Sequence, residues 1–294
     1  MQVNGVFIEN TFAEAFKMRA ARLLVTAINP YWVTMAANAA TGFATSVIGC
    51  GCEAGIEEML DEDKTPDGRP GANLLFFAMS RDELEKQLSN RIGQGIMTAA
   101  TAACYNNLVS EEMLNVGGKL RFFGDGYQKS KRIDHRRFWR IPVMSGEFLL
   151  EEKFGVQKAV GGGNFLILGE SLEAVLASAE AAVDAIKAVR NVIMPFPGGI
   201  VSSGSKVGSK YSFLSASTNS EYCPTMSSRV ETKLPEGVNS VMEIVIDGLN
   251  VEAVEEAMKV GIKAACRPGI IKITAGNYGG NLGQFNINLH EVMR

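Results

Sequence analysis

The segment 241–248 carries two carboxyl groups in an otherwise apolar run, and these groups are the best candidates for acid–base chemistry in the chain. Alternate side chains of a β-strand point to opposite faces, so Glu243 and Asp247 share one face and the even-numbered apolar residues share the other. If the apolar face packs beneath helices, Glu243 faces a partly dehydrated surface, where its pKa rises. A carboxyl group that keeps its proton near neutrality can donate a hydrogen bond to the oxygen that becomes negative during an acyl transfer.

A second interpretation of Glu243 is a solvated or salt-bridged strand residue, which is the more common situation when the residues alone are considered. The sequence contains fewer of the residues that other kinds of catalytic site require. The chain has two histidines, His135 and His290, and neither lies in the setting of a serine-hydrolase triad. The Gly-x-Ser-x-Gly motif is absent, and the glycine runs do not form a dinucleotide-binding fingerprint. Both interpretations of Glu243 therefore stay open at this point.

Two glycine-rich loops in the second half of the chain are suited to holding a ligand. The first is Pro195–Lys206, in which prolines stiffen the entry, glycines allow close approach of the backbone, and serines and a lysine add donors. The second is Thr274–Gly283, which has the same character. Either loop alone is equally well explained as a long connection, but the pair suggests a shared cleft. The predicted binding residues are Pro197, Gly198, Gly199, Ser203, Ser205, Lys206, Asn277 and Tyr278.

The composition limits the class of protein. A chain of 294 residues with 46% hydrophobic content can build two cores of ordinary domain size. A net charge of −3 argues against a nucleic-acid partner. The N-terminus has no signal-peptide pattern and no apolar run approaches the roughly 20 residues of a membrane span, so we expect a cytoplasmic protein. The scattered cysteines indicate reduced thiols rather than disulfides or a metal site: Cys50, Cys52, Cys104, Cys223 and Cys266.

Alternating strands and helices are predicted to position these residues. In the first half, the hydrophobic pattern predicts strands over 22–27, 43–48, 73–79, 119–123 and 138–144, and helices over 31–40 and 83–94, the latter after a capping box at Ser80–Glu83. In the second half, it predicts strands over 165–168, 241–246, 270–274 and 285–289, and helices over 172–189 and 251–265. Two strand–helix–strand passes in each half are typical of the ferredoxin-like plan.

We therefore predict an α+β protein made of two ferredoxin-like sandwich lobes, each with helices on one face of a mainly antiparallel sheet. The glycines between 145 and 163 favour a boundary there, with lobes over 1–146 and 147–294. The halves show no visible sequence identity, so the duplication is inferred from the order of elements. The second lobe holds Glu243 and both glycine-rich loops.

Phrases spread over the full length of the chain closely resemble formylmethanofuran:tetrahydromethanopterin formyltransferase. Their number and their common order make the resemblance specific to this family. The phrases are Thr11–Phe16, Thr41–Ile48, Glu53–Glu57, Thr65–Gly71, Gly162–Phe165, Pro195–Lys206 and Ala275–Gly280.

The resemblance implies an enzyme of one-carbon metabolism, such as methanogenesis, that moves a formyl group reversibly between methanofuran and tetrahydromethanopterin. It implies direct attack of an amine through a tetrahedral intermediate, with Glu243 matching the family's catalytic glutamate by its setting in this strand. It also implies a two-lobed architecture and a homotetramer. The two carriers act as substrates, and no permanently bound cofactor or metal is required.

Two alternatives remain open alongside a formyltransferase that acts alone. The phrase Cys50–Gly55 resembles bacterial members that serve as one subunit of a formyltransferase/hydrolase complex, which would add hydrolase-like partners. The other alternative is a catalytically silent binding module of the same fold. The basic run 129–140 is interpreted as a solvated hairpin, with the further hypothesis that it attracts an acidic partner subunit or the acidic tail implied for methanofuran-type carriers.

Overall fold

The computed structural model describes the whole chain, Met1–Arg294. Its strands are β1 (Gln2–Val3), β2 (Val6–Ile8), β3 (Phe12–Thr26), β4 (Glu53–Leu60), β5 (Gly71–Ala78), β6 (Ala103–Asn106), β7 (Met113–Leu114), β8 (Lys129–Ile133), β9 (Arg136–Val143), β10 (Gly146–Glu151), β11 (Phe154–Gly155), β12 (Gln157–Gly169), β13 (Val192–Ile193), β14 (Lys206–Val207), β15 (Ala216–Ser217), β16 (Ser240–Gly248), β17 (Ile270–Thr274) and β18 (Phe285–Asn288). Its helices are α1 (Pro30–Thr41), α2 (Val47–Cys50), α3 (Arg81–Arg91), α4 (Val116–Leu120), α5 (Leu172–Ile186), α6 (Val251–Ala265) and α7 (Leu289–Val292).

Contacts divide the chain into two compact units. The N-terminal unit is Met18–Ala159, and the C-terminal unit combines Met1–Lys17 with Val160–Arg294. The C-terminal unit thus includes the first residues of the chain, because β2 pairs with β17 and the beginning of β3 pairs with β18.

The sheet of the N-terminal unit has the strand order β4-β5-β3-β6-β10-β9-β8. The pairs among β4, β5, β3 and β6 are antiparallel, whereas β6 and β10 run parallel. Alternate residues of β3, such as Leu23 and Val25, join a core that is completed by the alanine-rich face of α1 and by Leu84 and Leu88 of α3. Small side chains on α1 let that helix lie close to the sheet.

The sheet of the C-terminal unit has the order β1-β2-β17-β12-β16-β13. The pairs among β17, β12, β16 and β13 are antiparallel, whereas β2 and β17 run parallel. Helices α5 and α6 cover one face, where they pack on Phe165 and Ile167 of β12 and on alternate residues of β16. The two helices approach closely at Gly261, where an added Cβ atom would lie 2.7 Å from the side chain of Ile186.

Polar side chains cap the helices at the starts that the sequence favours. Asn29, Asn250 and Ser171 each accept a hydrogen bond from a backbone amide in the first turn of their helix. The predicted cap at Ser80 is confirmed, since its hydroxyl accepts from the amide of Glu83. None of the helices combines the length and the apolar character needed to cross a membrane.

Two predicted strands of the first half are wrong. The segment 43–48 contains Phe43 in a left-handed conformation (φ 52°) and then Ser46, which caps the short helix α2. The segment 119–123 lies in α4 and a following 3-10 turn. Gly117 lets α4 lie against the backbone of Glu151, because a Cβ atom at this position would overlap the carbonyl oxygen. In both cases local capping or close packing outweighs the apolar pattern.

The core of the C-terminal unit provides a test of stability. Phe165 is fully buried between β12 and the helices, so Phe165→Ala should lower the free energy of unfolding by about 3–5 kcal/mol through lost burial and a cavity. Phe213 is 85% exposed, and Phe213→Ala should leave stability within about 0.5 kcal/mol of the wild type. Urea unfolding of both variants measures the difference, and equal stabilities would contradict this account of the core.

Candidate active site

Glu243 lies in the middle of β16, between two pairing partners. On one side it is opposite Leu166 of β12. On the other side its backbone exchanges two hydrogen bonds with Val201 of the first glycine-rich loop, with N–O distances of 2.8 and 3.1 Å. The loop therefore continues the edge of the sheet directly beside Glu243. This backbone pairing fixes the loop to the strand without using any side chain.

The side chain of Glu243 occupies the face of β16 opposite the helices. Met242, Ile244 and Ile246 are buried in the core beneath α5 and α6, which confirms the predicted alternation. Glu243 is half-buried, and neither an ion pair nor a hydrogen bond engages its carboxyl group. Burial raises its pKa to about 7. A carboxyl group in this state is available as a hydrogen-bond donor near neutral pH.

Asp247, the other acidic residue of this strand, supports the sheet. It is fully buried, and its Oδ1 accepts a hydrogen bond from the amide of Gly162, 2.9 Å away. Gly162 lies where the pairing of β12 with β16 shifts register. Asp247 therefore braces an irregularity of the sheet.

The first glycine-rich loop begins with a 3-10 turn over Pro197–Gly199. Gly199 is buried with φ 82°, and an added Cβ atom would lie 2.9 Å from the side chain of Val183, so this position requires glycine. Pro197, Gly198, Ser203 and Ser205 are exposed, whereas Lys206 is half-buried and donates to the hydroxyl of Ser220 at 3.2 Å.

The second glycine-rich loop carries Tyr278 toward Glu243. Burial raises the pKa of the Tyr278 phenol, the nearby carboxylates of Glu243 and Glu14 raise it further, and a hydrogen bond with the backbone of Val207 acts in the opposite direction. The phenol thus lies near both the acid and the first loop. Asn277 instead turns back toward β3, where its amide donates to Thr11 Oγ1 and to the carbonyl of Phe12.

The structure therefore brings together Glu243, Tyr278, Val201 of the first loop and Val207, which directly follows that loop. It places Asn277 as a brace of the second loop and Lys206 beside Ser220. The remaining predicted binding residues lie in the first loop, where Gly199 is buried and the others are exposed, and their role stays a prediction.

Two buried polar residues that support the second loop were not singled out from the sequence. The carboxamide of Asn164 donates to the carbonyl of Gly276 and accepts from the amide of the same residue. The carboxylate of Glu14 accepts from several amides of the loop. Each is a polar residue in the interior of a long strand, and an isolated polar residue in such a pattern is the signal that could have revealed them.

The basic run lies in the N-terminal unit, where it forms the hairpin of β8 and β9. Within this unit, a cavity of about 560 Å³ opens beside the hairpin. Two arginines that line the cavity form ion pairs, Arg136 with the buried Glu151 and Arg137 with Glu152. Its remaining cationic side chains are those of Arg132 and Lys153, both of which are exposed.

Known proteins resemble this chain over its full length. Residues 1–143 match the family model described as formylmethanofuran-tetrahydromethanopterin formyltransferase, and residues 146–292 match the model for the proximal lobe of the same enzyme. The formylmethanofuran–tetrahydromethanopterin formyltransferase of Methylococcus capsulatus is 57% identical over the full length of both chains. The chain belongs to this formyltransferase family.

Solved structures of the formyltransferase family share the fold. The enzyme from Methanosarcina barkeri is 50% identical, covers 99% of this chain and all of its own, and superposes with a TM-score of 0.94. The formyltransferase/hydrolase complex of Methylorubrum extorquens with methylofuran contains a chain that is 47% identical, with a TM-score of 0.97 and coverage of 100% and 99%. The predicted mixed α+β class is confirmed. The prediction that the chain is an acyl-transferring enzyme is also confirmed by its family.

The raised pKa of Glu243 predicts how stability depends on pH. In the unfolded chain this carboxyl group ionises near its ordinary value of 4.5, whereas in the folded protein it keeps its proton to about 7. Between these values the unfolded state releases a proton that the folded state retains, so the free energy of unfolding falls as the pH rises. The shift corresponds to a loss of about 3 kcal/mol that is complete above pH 7.

Glu243→Gln should remove this part of the pH dependence, because an amide does not ionise. Urea unfolding between pH 4.5 and 8.5 measures it, with Glu252→Gln at an exposed position of α6 as the matched control. The control should keep the wild-type slope. Parallel curves for wild type and Glu243→Gln would show that Glu243 is ionised throughout this range.

Proposed function

We propose that this chain transfers a formyl group between methanofuran and tetrahydromethanopterin with Glu243 as the acid of the reaction. The observation that carries the role of Glu243 is its half-buried, unpaired carboxyl group beside both glycine-rich loops, with a pKa raised to about 7. Membership of the formyltransferase family supports the substrates. Both carriers act as substrates, and formyl transfer between two amines requires no redox step.

In the proposed reaction the amine of the acceptor attacks the formyl carbon of the donor. A new C–N bond forms and the formyl oxygen gains negative charge in the tetrahedral intermediate. The Glu243 carboxyl group donates a hydrogen bond to that oxygen and so stabilises the charge where it develops. The bond to the donor nitrogen then breaks, and the proton lost by the attacking amine is balanced by the proton gained by the leaving amine.

The two loops are proposed to hold the carriers. Tyr278 lies near Glu243 and can orient the reacting group. The exposed backbone at Pro197 and Gly198, the turn made by the buried Gly199, and the hydroxyls of Ser203 and Ser205 are proposed contacts along the first loop. Lys206 and Asn277 are proposed to contribute after exchanging their present partners.

Finer features of the assembly are proposals as well. The shared antiparallel order of four strands, β4-β5-β3-β6 and β13-β16-β12-β17, supports a ferredoxin-like plan in each unit. The limits of the two family models support functional lobes over 1–146 and 147–294. A cytoplasmic homotetramer is the proposed state. Membership of a formyltransferase/hydrolase complex is the alternative, which the likeness to the complex from Methylorubrum extorquens supports.

Replacing the proposed acid tests the reaction. Glu243→Gln should lower the rate of transfer by about 10²-fold or more, because the amide is a weaker hydrogen-bond donor to the negative oxygen. The assay incubates formyl-tetrahydromethanopterin with methanofuran and follows loss of the formylated pterin, with Glu252→Gln as the control. Wild-type turnover in Glu243→Gln would exclude Glu243 as the acid, and absence of transfer by the wild type would oppose the function itself unless a partner complex restores it.

The basic cavity of the N-terminal unit is proposed to attract the acidic tail of the carrier. The residues to change are Arg132 and Lys153, whose charges are not paired. Reversing the charge of Arg136 would leave the buried Glu151 without its ion-pair partner and destabilise the unit. Arg132→Glu combined with Lys153→Glu should raise the KM for methanofuran about fivefold at low salt and flatten its salt dependence. A matched double reversal at exposed Lys86 and Lys263 should leave both unchanged. Equal effects of the two double variants would remove the cavity from carrier binding.

A further inference from the structure

The carboxylate of Glu14 lies inside the second glycine-rich loop. Glu14 is on β3, where it is paired with Asn286 of β18, and it is 1% exposed. Its Oε2 accepts from the amides of Tyr278 at 2.6 Å and Gly280 at 3.1 Å. Its Oε1 accepts from the amides of Leu282 and Gly283, both at 2.5 Å. One side chain therefore satisfies four backbone donors of a six-residue stretch.

These amides are the only groups that balance the charge of Glu14, since no cationic side chain forms an ion pair with it. Burial alone would raise its pKa, but the hydrogen bonds from Gly283, Tyr278, Leu282 and Gly280 hold the pKa below its ordinary value. Hydrogen bonds to an ionised acceptor are about twice as strong as neutral ones. The shape of the loop is consequently tied to a negative charge at this point.

The fit between the loop and the carboxylate is close. At Gly283 an added Cβ atom would lie 2.6 Å from Glu14 Cγ and 2.6 Å from the carbonyl oxygen of Ala15. The first of these atoms belongs to a side chain held by its own hydrogen bonds, and the second belongs to the backbone of β3. Glycine at 283 is therefore needed for the loop to close around Glu14.

This arrangement changes what the loop can offer a substrate. The sequence predicted that this loop lines a ligand cleft, with Asn277 and Tyr278 as binding residues. Four backbone amides of the loop point inward to Glu14, so the loop presents the side chain of Tyr278 instead. The amide of Tyr278 is itself one of the four, which fixes the backbone of the residue whose phenol lies near Glu243 and Val207.

We propose that Glu14 is a positioning residue for the formyl transfer, which holds the loop 278–283 so that Tyr278 lies beside Glu243. This inference rests on the proposed function for its effect on rate, but its structural part does not. Glu14 touches no reacting atom and acts through the loop backbone. A small displacement of a group that orients a substrate can lower a rate by about 10²-fold.

The test combines hydrogen exchange with kinetics in the full-length protein. In Glu14→Gln, the amide nitrogen replaces one acceptor and faces backbone donors, so the peptide covering 278–283 should exchange faster than in the wild type. The turnover number for formyl transfer should fall on the order of 10²-fold with a smaller change in KM. Glu14→Asp keeps the charge and should restore part of both properties.

Two further variants keep the test decisive. Glu9→Gln is the matched control, because Glu9 is a carboxylate of the same unit that pairs with Lys272, accepts from the Thr274 hydroxyl at the start of the loop, and contacts no amide of 278–283. It should leave exchange of 278–283 unchanged and turnover within about threefold. Gly283→Ala disrupts the same contact from the loop side. It should also speed exchange of 278–283 and lower turnover, so it provides the test if Glu14→Gln does not fold.

The outcomes separate this inference from the proposed function. Unchanged exchange of 278–283 in Glu14→Gln and in Gly283→Ala would overturn it, whatever the activity. Faster exchange with wild-type turnover would also overturn it, since the loop would then be released without consequence for the reaction. Faster exchange in a series whose wild type transfers no formyl group would contradict the proposed function while leaving Glu14 as the residue that orders the loop.

Discussion

Glu243 keeps its proton to near neutral pH because its carboxyl group is half-buried and no cation lies against it. This condition depends on the surrounding structure. The strand that carries Glu243 has its other face in the core, so the side chain cannot turn away from the loops. Pairing between Glu243 and Val201 involves only backbone atoms, and it brings the first loop beside the carboxyl group without supplying a charge. A lysine or arginine beside Glu243 would lower its pKa and remove the donor.

The same unit contains a second buried glutamate with the opposite behaviour. Glu14 accepts four backbone hydrogen bonds, and its pKa is lowered so that it stays ionised. Glu243 accepts no hydrogen bond at its carboxyl group and keeps its proton to a higher pH. Two identical side chains thus take different roles because the backbone around them differs, a division of labour known from other enzymes that use paired acids. The loop 278–283 connects the two environments, since it surrounds Glu14 and carries Tyr278 to Glu243.

Much of this arrangement could be predicted from the sequence, and the limits have physical causes. Strand alternation was enough to place Glu243 opposite the core, and the family phrases identified the reaction. The prediction of a strand over 43–48 was wrong because Phe43 takes a left-handed conformation and Ser46 caps a helix. Neither feature alters the hydrophobic periodicity from which the strand was predicted. The bonds of Glu14 to the loop join residues about 270 positions apart, so no local pattern could show them.

The strand plan of the C-terminal unit does not by itself account for the site. The N-terminal unit has the same antiparallel order, in which β5 corresponds to β16, yet β5 carries no acidic residue and all of its residues are buried. In β16 the burial alternates along the central residues, which leaves one face to be covered by loops rather than by close-packed apolar side chains. The proposed site therefore differs from the equivalent place in the N-terminal unit through one side chain of the strand and through the loop that pairs beside it. One order of strands thus holds a fully buried strand in the N-terminal unit and a strand with a half-buried glutamate in the C-terminal unit.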